Sequence, residues 1–110
     1  MSGKEDEAIH EVRRELIRLF QGNDYRLTDR ADRDGRKILL ERRYKPSTQW
    51  GICAYILDQL LADFPMRAVG MGEPPGSRGV GYVMYNVDGD GLYIKLKIEE
   101  GEVWVLSFHY

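Results

Sequence analysis

The stretch LYIKLKIEEGEVWVLSFHY, residues 92–110, contains two strand patterns separated by a turn signal. Aliphatic side chains occupy every second position of its first half, at Leu92, Ile94, Leu96 and Ile98. The positions between them carry polar tips, at Tyr93, Lys95 and Lys97. Successive side chains of a strand point to opposite faces, so this strand has one packed face and one wet face. Glu100-Gly101 then joins it to residues 102–110, a second β-rich run, and the two predict an antiparallel hairpin.

A third strand precedes this hairpin. VGYVMYNV at residues 80–87 is rich in β-branched and aromatic residues, and DGDG at 88–91 separates it from the hairpin. The turn begins like a calcium-binding EF-hand loop, but Lys97 stands where that loop needs a bidentate Glu, so we predict a hairpin turn and no metal site. The second half is therefore a three-stranded antiparallel meander, to which MRAV at 66–69 is able to add a short strand.

The first half carries two helical patterns. Apolar residues recur at spacings of three and four before Gly22, at Ile9, Val12, Leu16, Leu19 and Phe20. A second, largely buried helix over residues 50–64 follows the stop-and-cap sequence Pro46-Ser47-Thr48 and ends at Pro65. Residues 23–35 are polar and predict a loop with one helical turn at most, whereas residues 36–45 fit either a short strand or a helix. We expect one α+β domain over residues 1–110, with two main helices packed on a small twisted antiparallel sheet.

Composition limits the class of protein. The chain of 110 residues suits one small domain, and its apolar runs are far shorter than the ~20 residues that span a bilayer. The acidic first residues do not resemble a secretion signal, so we expect a cytoplasmic protein with no membrane partner. A single cysteine, Cys53, excludes an internal disulfide, and with only His10 and His109 beside it no standard zinc set is available. We expect neither a metal nor another cofactor.

Charge is unevenly distributed along the chain. The formal net charge of −2 argues against a general nucleic-acid binder. However, residues 13–45 hold eleven Lys or Arg against six acids, whereas residues 1–12 hold one against four. Arg and Asp alternate within RLTDRADRDGRK, residues 26–37. Residues 13–45 are therefore either a surface that faces phosphate or an ordinary solvated helix and loop with nearby Asp partners.

The candidate catalytic residues lie on the wet face of the meander. Tyr93, Lys95 and Lys97 share it, and alternation places Ser107 and His109 on one side of the last strand with Phe108 and Tyr110 on the other. Tyr82 and Tyr85 point to opposite faces of their strand, so only one of them lies on the wet face.

Tyrosine, lysine and histidine suit cleavage of RNA without a metal. The 2′-hydroxyl of RNA is itself the nucleophile, so the protein only has to remove its proton, balance phosphoryl charge and protonate the 5′-oxygen. Lys or Arg serves the second role, and Tyr or His the first and third. A solvated face whose tyrosines reflect β-propensity explains the same pattern.

Residues 92–110 resemble the ending of the MqsR family of mRNA-interferase toxins, within the RelE-like group of toxin–antitoxin ribonucleases. The shared features are an aromatic residue before an aliphatic-Lys strand, a short turn, and a hydrophobic strand that closes on Ser-Phe and a basic residue. GICAYILDQLLADF at 51–64 is also similar to the family's central helix. The resemblance implies a RelE-like fold.

The resemblance also implies roles for individual residues. Tyr93 matches the family's catalytic tyrosine with Lys95 beside it, and His109 stands where MqsR-type toxins place a terminal catalytic lysine. The ending His109-Tyr110 is similar to that of YoeB-type relatives, where such a pair takes part in cleavage. Arg67 is the nearest cation to the place of the family's lysine after the central helix. Tyr82 lies near the place of the family's glutamine.

Two functions from different classes follow. The first is a toxin that cuts mRNA at the ribosome as a metal-independent endoribonuclease, leaving 2′,3′-cyclic phosphate and 5′-hydroxyl ends, with a cognate antitoxin as partner. Its catalytic residues would be Tyr93, His109, Lys95 and Arg67. Its substrate-binding residues would be Lys97, Tyr82, Tyr85 and Tyr110. The alternative is a non-catalytic immunity or antitoxin-like module whose acidity helps it to cover a basic partner.

Overall fold

A computed structural model describes residues 3–44, 46–70, 79–87 and 89–110. These residues form three helices and five strands, in the order α1 (Gly3–Gln21), β1 (Tyr25–Leu27), α2 (Asp29–Glu41), α3 (Gln49–Leu61), β2 (Arg67–Gly70), β3 (Val80–Val87), β4 (Leu92–Glu99) and β5 (Glu102–His109). The α+β class predicted from the sequence is confirmed. None of the helices among the described residues has the length and apolarity needed to cross a membrane.

The two predicted helices form and pack on each other. Thr48 begins α3 as predicted, because its hydroxyl accepts a hydrogen bond from the main-chain N–H of Gly51 at 3.2 Å. At the other end of α3, the buried side chain of Arg13 on α1 donates to the main-chain oxygen of Phe64 at 2.9 Å and contacts that of Leu60. A cation at a helix C-terminus satisfies carbonyls that lack partners within the helix. Arg13 therefore ties α1 to the end of α3.

The loop predicted over residues 23–35 is wrong, because this segment contains β1 and the first half of a third helix. Thr28 caps α2, and its hydroxyl accepts from the main-chain N–H of Ala31 at 3.1 Å. The buried face of α2 consists of Ala31, Gly35, Ile38 and Leu39. This apolar stripe has helical spacing, but two of its four members are small and the intervening positions are charged. Residues 36–41, for which strand and helix were both open, are helical.

The sheet is mixed rather than purely antiparallel. Its strand order is β1-β5-β4-β3-β2, and β2 to β5 pair antiparallel as the meander and the added strand predicted. β1 pairs parallel to β5, with Tyr25 opposite Val103. Main-chain hydrogen bonds at 2.9 and 3.1 Å flank this pairing, from Val103 to Asp24 and from Thr28 to Val105. The short β1 was hidden in the polar segment, so its parallel contact was not predictable from local sequence.

All three helices lie on one face of the sheet. The buried core includes Leu16, Leu19, Leu39, Ile52, Ile56, Leu60, Met84, Leu92, Ile94, Leu96, Val103, Val105 and Phe108. A Cβ on Gly35 would lie 2.7 Å from Cδ1 of Ile52, so glycine allows α2 to approach α3 closely. We call the opposite face of the sheet, which these helices do not cover, the open face.

Candidate functional site

Strand β4 presents its polar side chains on the open face. Leu92, Ile94 and Leu96 are fully buried, whereas Tyr93 and Lys95 between them are half-buried. The alternation predicted for this strand is therefore confirmed. The pairing of β4 with its neighbours then determines which residues lie beside its tyrosine and lysines.

Three aromatic side chains form a row across the open face, which we call the aromatic row: Tyr85 on β3, Tyr93 on β4 and His109 on β5. They are directly opposite one another in the strand register. The rings of Tyr93 and His109 stack with their centroids 5.3 Å apart and an angle of 26° between their planes. Tyr85 is 63% exposed. Two residues predicted to act on protons are thus brought into contact, with an exposed aromatic surface at their side.

We assign the tautomer of His109 from its contact with the next residue. The ring nitrogen Nδ1 lies 2.8 Å from the main-chain oxygen of Tyr110. That oxygen only accepts, so Nδ1 carries the proton in this contact. In the neutral ring, Nε2 then keeps its lone pair, which is the arrangement that a general base requires.

A second row, the cationic row, lies next to the aromatic row. It consists of Arg67 on β2, Val83 on β3, Lys95 on β4 and Ser107 on β5. Rows that share a face are roughly 7 Å apart along a strand, which is about the length of one nucleotide step. Among the described residues, neither Arg67 nor Lys95 has an ion-pair partner. Both cations are therefore available to a phosphate beside the Tyr93–His109 pair.

A third row on the open face, the paired row, contains Lys97 on β4, Trp104 on β5 and Arg26 on β1. Here each cation has a carboxylate partner. Nζ of Lys97 lies 2.6 Å from Glu99, and Nε of Arg26 donates to both carboxylate oxygens of Glu102 at 2.9 and 3.1 Å. The cations also lie 5.7 and 5.9 Å from the centre of the Trp104 ring. Glu99 and Glu102 therefore balance the charges of the two cations in the paired row.

A β-bulge in β5 brings the β5 members of the aromatic and paired rows to the same face. Lys95 pairs with Ser107, but the next residue, Leu96, pairs with Val105, so Leu106 is an extra residue in β5. The bulge changes the alternation of β5, so that Trp104 and His109 share the open face although they are five positions apart, an odd spacing that regular alternation would place on opposite faces. Sequence alternation alone did not reveal this, and Trp104 was absent from the predicted site for that reason.

Two predicted site residues lie elsewhere. Tyr82 is opposite Leu96 and packs against the core on the helical face. The hydroxyl of Tyr110 accepts a hydrogen bond from Nε of Arg42 at the end of α2, at 3.1 Å. The structure thus groups Tyr85, Tyr93, Lys95, Arg67 and His109, places Lys97 one row away, and separates Tyr82 and Tyr110 from them.

The charged segment that precedes the meander is locally paired. On α2, Nε of Arg36 lies 2.6 Å from the carboxylate of Asp32, and Arg30 and Arg33 both lie within 4 Å of Asp34. Of the two interpretations of this segment, the geometry matches the solvated surface with nearby Asp partners. These three arginines of α2 therefore have their carboxylate partners on the same helix.

The single cysteine is not a reactive group. Cys53 is 3% exposed and is one of the residues that line a cavity of about 280 Å³ between α1, β1 and α3. Burial raises the pKa of its thiol to about 12. The thiol stays protonated near neutral pH, so it is a poor nucleophile. Within the described ranges, no cluster of three or more His, Cys, Asp or Glu side chains is placed to hold a metal ion.

Comparison with models of known protein families, with curated proteins and with solved structures yields no match to this chain. Functional inference therefore depends on the geometry of the open face and on the resemblance of residues 92–110.

Proposed function

We propose that this protein is a metal-independent endoribonuclease that binds single-stranded RNA on the open face of its sheet. The observation that carries the proposal is the stacked pair of Tyr93 and His109 beside two cations, Lys95 and Arg67, that have no carboxylate partner among the described residues. This arrangement supplies a proton acceptor, a proton donor and two positive charges within one patch. These are the groups that transesterification of RNA by its own 2′-hydroxyl requires.

In the proposed reaction, Nε2 of His109 accepts the proton of the 2′-hydroxyl. The 2′-oxygen attacks the adjacent phosphorus, and the bond between phosphorus and the 5′-oxygen breaks. The Tyr93 hydroxyl donates a proton to the departing 5′-oxygen, and the proton on His109 returns to Tyr93 after release of the products. Lys95 and Arg67 balance the charge that develops on the phosphoryl oxygens. The products are a 2′,3′-cyclic phosphate and a 5′-hydroxyl.

The biological role we propose is that of a toxin in a toxin–antitoxin pair, acting on mRNA at the ribosome in the cytoplasm. The resemblance of residues 92–110 to MqsR-type toxins supports this role, and the α+β sheet with helices on one face is compatible with a RelE-like fold. A cognate antitoxin is the expected protein partner. An acidic partner segment that lies across Lys95 and Arg67 would compete directly with RNA.

Cleavage of a defined RNA in the presence of EDTA tests the enzymatic proposal. The parent protein is compared with Tyr93→Phe and His109→Ala, and the matched controls are Tyr82→Phe on the helical face and His10→Ala on α1. We expect the two site variants to lose cleavage and the two controls to retain it. The products should carry 2′,3′-cyclic phosphate ends, and an RNA with a deoxyribose at the cleaved position should stay intact. Equal activity of all five proteins, or none in any of them, contradicts the assignment.

The second candidate, a non-catalytic immunity or antitoxin-like module, is favoured by one observation, the net charge of −2. An acidic protein is suited to covering a basic partner. Expression of the chain alone separates the two candidates. A toxin arrests growth unless its antitoxin is present, whereas an immunity protein is harmless and co-purifies with a cationic protein.

A further inference from the structure

Arg42 joins three separate parts of the chain near the end of β5. It follows α2 directly as the C-cap residue, and its side chain is only 18% exposed. Its Nη1 donates to the hydroxyl of Tyr55 on α3 at 2.8 Å, and its Nε donates to the hydroxyl of Tyr110 at 3.1 Å. Its Nη2 is paired with Asp90 in the β3–β4 turn. A guanidinium presents its donors in a rigid plane, so these three contacts hold each other in place.

Tyr55, which binds Arg42, also contacts the residue that precedes His109. The ring of Tyr55 meets Phe108 edge to face, with centroids 5.7 Å apart, and Phe108 is fully buried. Arg42 lies 5.8 Å from the Tyr55 ring and 5.5 Å from the Tyr110 ring. Both neighbours of His109 in the chain are therefore held on the helical side of the sheet, while the imidazole itself lies on the open face.

The position of Tyr110 depends on its contacts with Arg42 more than the position of Phe108 depends on its packing against Tyr55. Tyr110 follows the last residue of β5, so the ladder of the sheet does not include it, and its side chain is 55% exposed. Yet its main-chain oxygen is the group that binds Nδ1 of His109. Arg42 holds the ring of Tyr110 by a hydrogen bond and by contact with its π face, and so restrains the residue that carries this oxygen.

We infer that Arg42 is a positioning residue that keeps His109 in the Nδ1–H tautomer by anchoring Tyr110. Arg42 touches none of the groups to which we assign chemistry on the open face, so it acts through Tyr110. The inference rests on the proposed function only where it concerns cleavage, because the tautomer is a property of the free protein. Free imidazole side chains favour the opposite tautomer, with the proton on Nε2, so the two states are distinguishable.

The experiment is a long-range ¹H–¹⁵N spectrum of the two imidazole rings above the pH at which they lose their charge. His10 is exposed on α1 and provides an internal reference. We expect Nδ1–H for His109 in the parent protein and Nε2–H for His10. In Tyr110→Phe and Arg42→Ala, the His109 signals should move toward the Nε2–H pattern while those of His10 stay unchanged. Tyr110→Phe removes one exposed hydroxyl, so this variant is expected to fold even if Arg42→Ala does not.

Kinetics on RNA provide the second readout. Loss of kcat by up to about a hundredfold with little change in KM is expected for Arg42→Ala, because a small misplacement of a catalytic group is costly. Arg42→Lys keeps the charge without the planar fork and should fall between the parent and Arg42→Ala. Arg33→Ala, which removes another arginine of α2, should behave as the parent.

The outcomes separate this inference from the proposed function. An unchanged His109 tautomer in both Tyr110→Phe and Arg42→Ala overturns the positioning role, whatever the activity. A shifted tautomer in a protein that never cleaves RNA supports the positioning role and contradicts the proposed function.

Discussion

Two adjacent regions of the open face contain the same kinds of residue and differ in charge balance. Lys95 and Lys97 lie on the same strand and the same face, two residues apart. Lys95 belongs to the cationic row, where no described carboxylate meets it, whereas Lys97 is paired with Glu99 and lies over Trp104. Residue type and strand position therefore do not make a phosphate site by themselves. The carboxylates within reach, such as Glu99 two residues further along the same strand, decide which cation is available.

The difference has consequences for RNA binding. A phosphate that approaches the paired row must first displace Glu99 or Glu102 from its cation, whereas one that approaches Lys95 and Arg67 displaces water and counterions. The site we propose is thus confined to the aromatic and cationic rows. This confinement also explains how an acidic chain can present a local cationic site.

The largest expected effect is a difference in cleavage rate between a variant in the aromatic row and a variant in the paired row. His109→Ala should lower the cleavage rate by about 10²- to 10⁴-fold, the range for loss of a general acid or base. Trp104→Phe, an aromatic substitution in the paired row, should leave the rate close to that of the parent. Single-turnover cleavage in EDTA measures both. A similar loss in the two variants would remove the distinction between the rows.

Binding should distinguish the two lysines of β4. Lys95→Ala should weaken binding of a 2′-O-methyl RNA, which cannot be cleaved, and should reduce the slope of log K against log salt by about 0.7. Lys97→Ala should change both quantities less, because Glu99 already neutralises that lysine. Fluorescence anisotropy at several salt concentrations measures affinity and slope together. The comparison fails if Lys97→Ala has the larger effect.

Removing the carboxylates of the paired row should convert it into a binding surface. The double variant Glu99→Gln and Glu102→Gln leaves Lys97 and Arg26 without partners, so we expect tighter binding of the same RNA and a steeper salt dependence. Replacing Glu15, which is paired with Arg18 on α1, by Gln is the matched control for loss of an exposed carboxylate. An affinity that stays at the parent value would show that the paired row lies outside the path of the RNA.

The smallest expected effect concerns stability. The Arg26–Glu102 pair joins β1 to β5 at the surface, with side chains 60% and 33% exposed. Exposed pairs contribute about 0–1 kcal/mol, so a double-mutant cycle of Arg26→Ala and Glu102→Ala should give a coupling free energy of unfolding within that range. Urea unfolding of the four proteins measures it. A coupling well above this range would mean that the pair is needed to hold β1 on the sheet.

Prediction from sequence succeeded where local periodicity was strong. The meander appeared at the expected positions because its strands alternate cleanly and Glu100-Gly101 suits a tight turn, in which both residues have positive φ. The first half of the third helix was missed because its buried face relies on Ala31 and Gly35, whose small side chains give a weak apolar signal. The short β1 gave no periodic signal at all, and so Arg26 was not predicted to approach Trp104.

The sequence by itself determined the faces of β4, since strict alternation places Tyr93, Lys95 and Lys97 together whatever the strand pairs with. It also determined that a helix begins after Thr48, because the cap is a local interaction. Only the tertiary structure decided that His109 stacks on Tyr93. The extra residue at Leu106 sets the faces of β5, and pairing between strands, which is non-local, selects the position of that bulge. The same non-local pairing gave a carboxylate to Arg26 and none of the described carboxylates to Lys95, so the location of the proposed site is a property of the folded sheet.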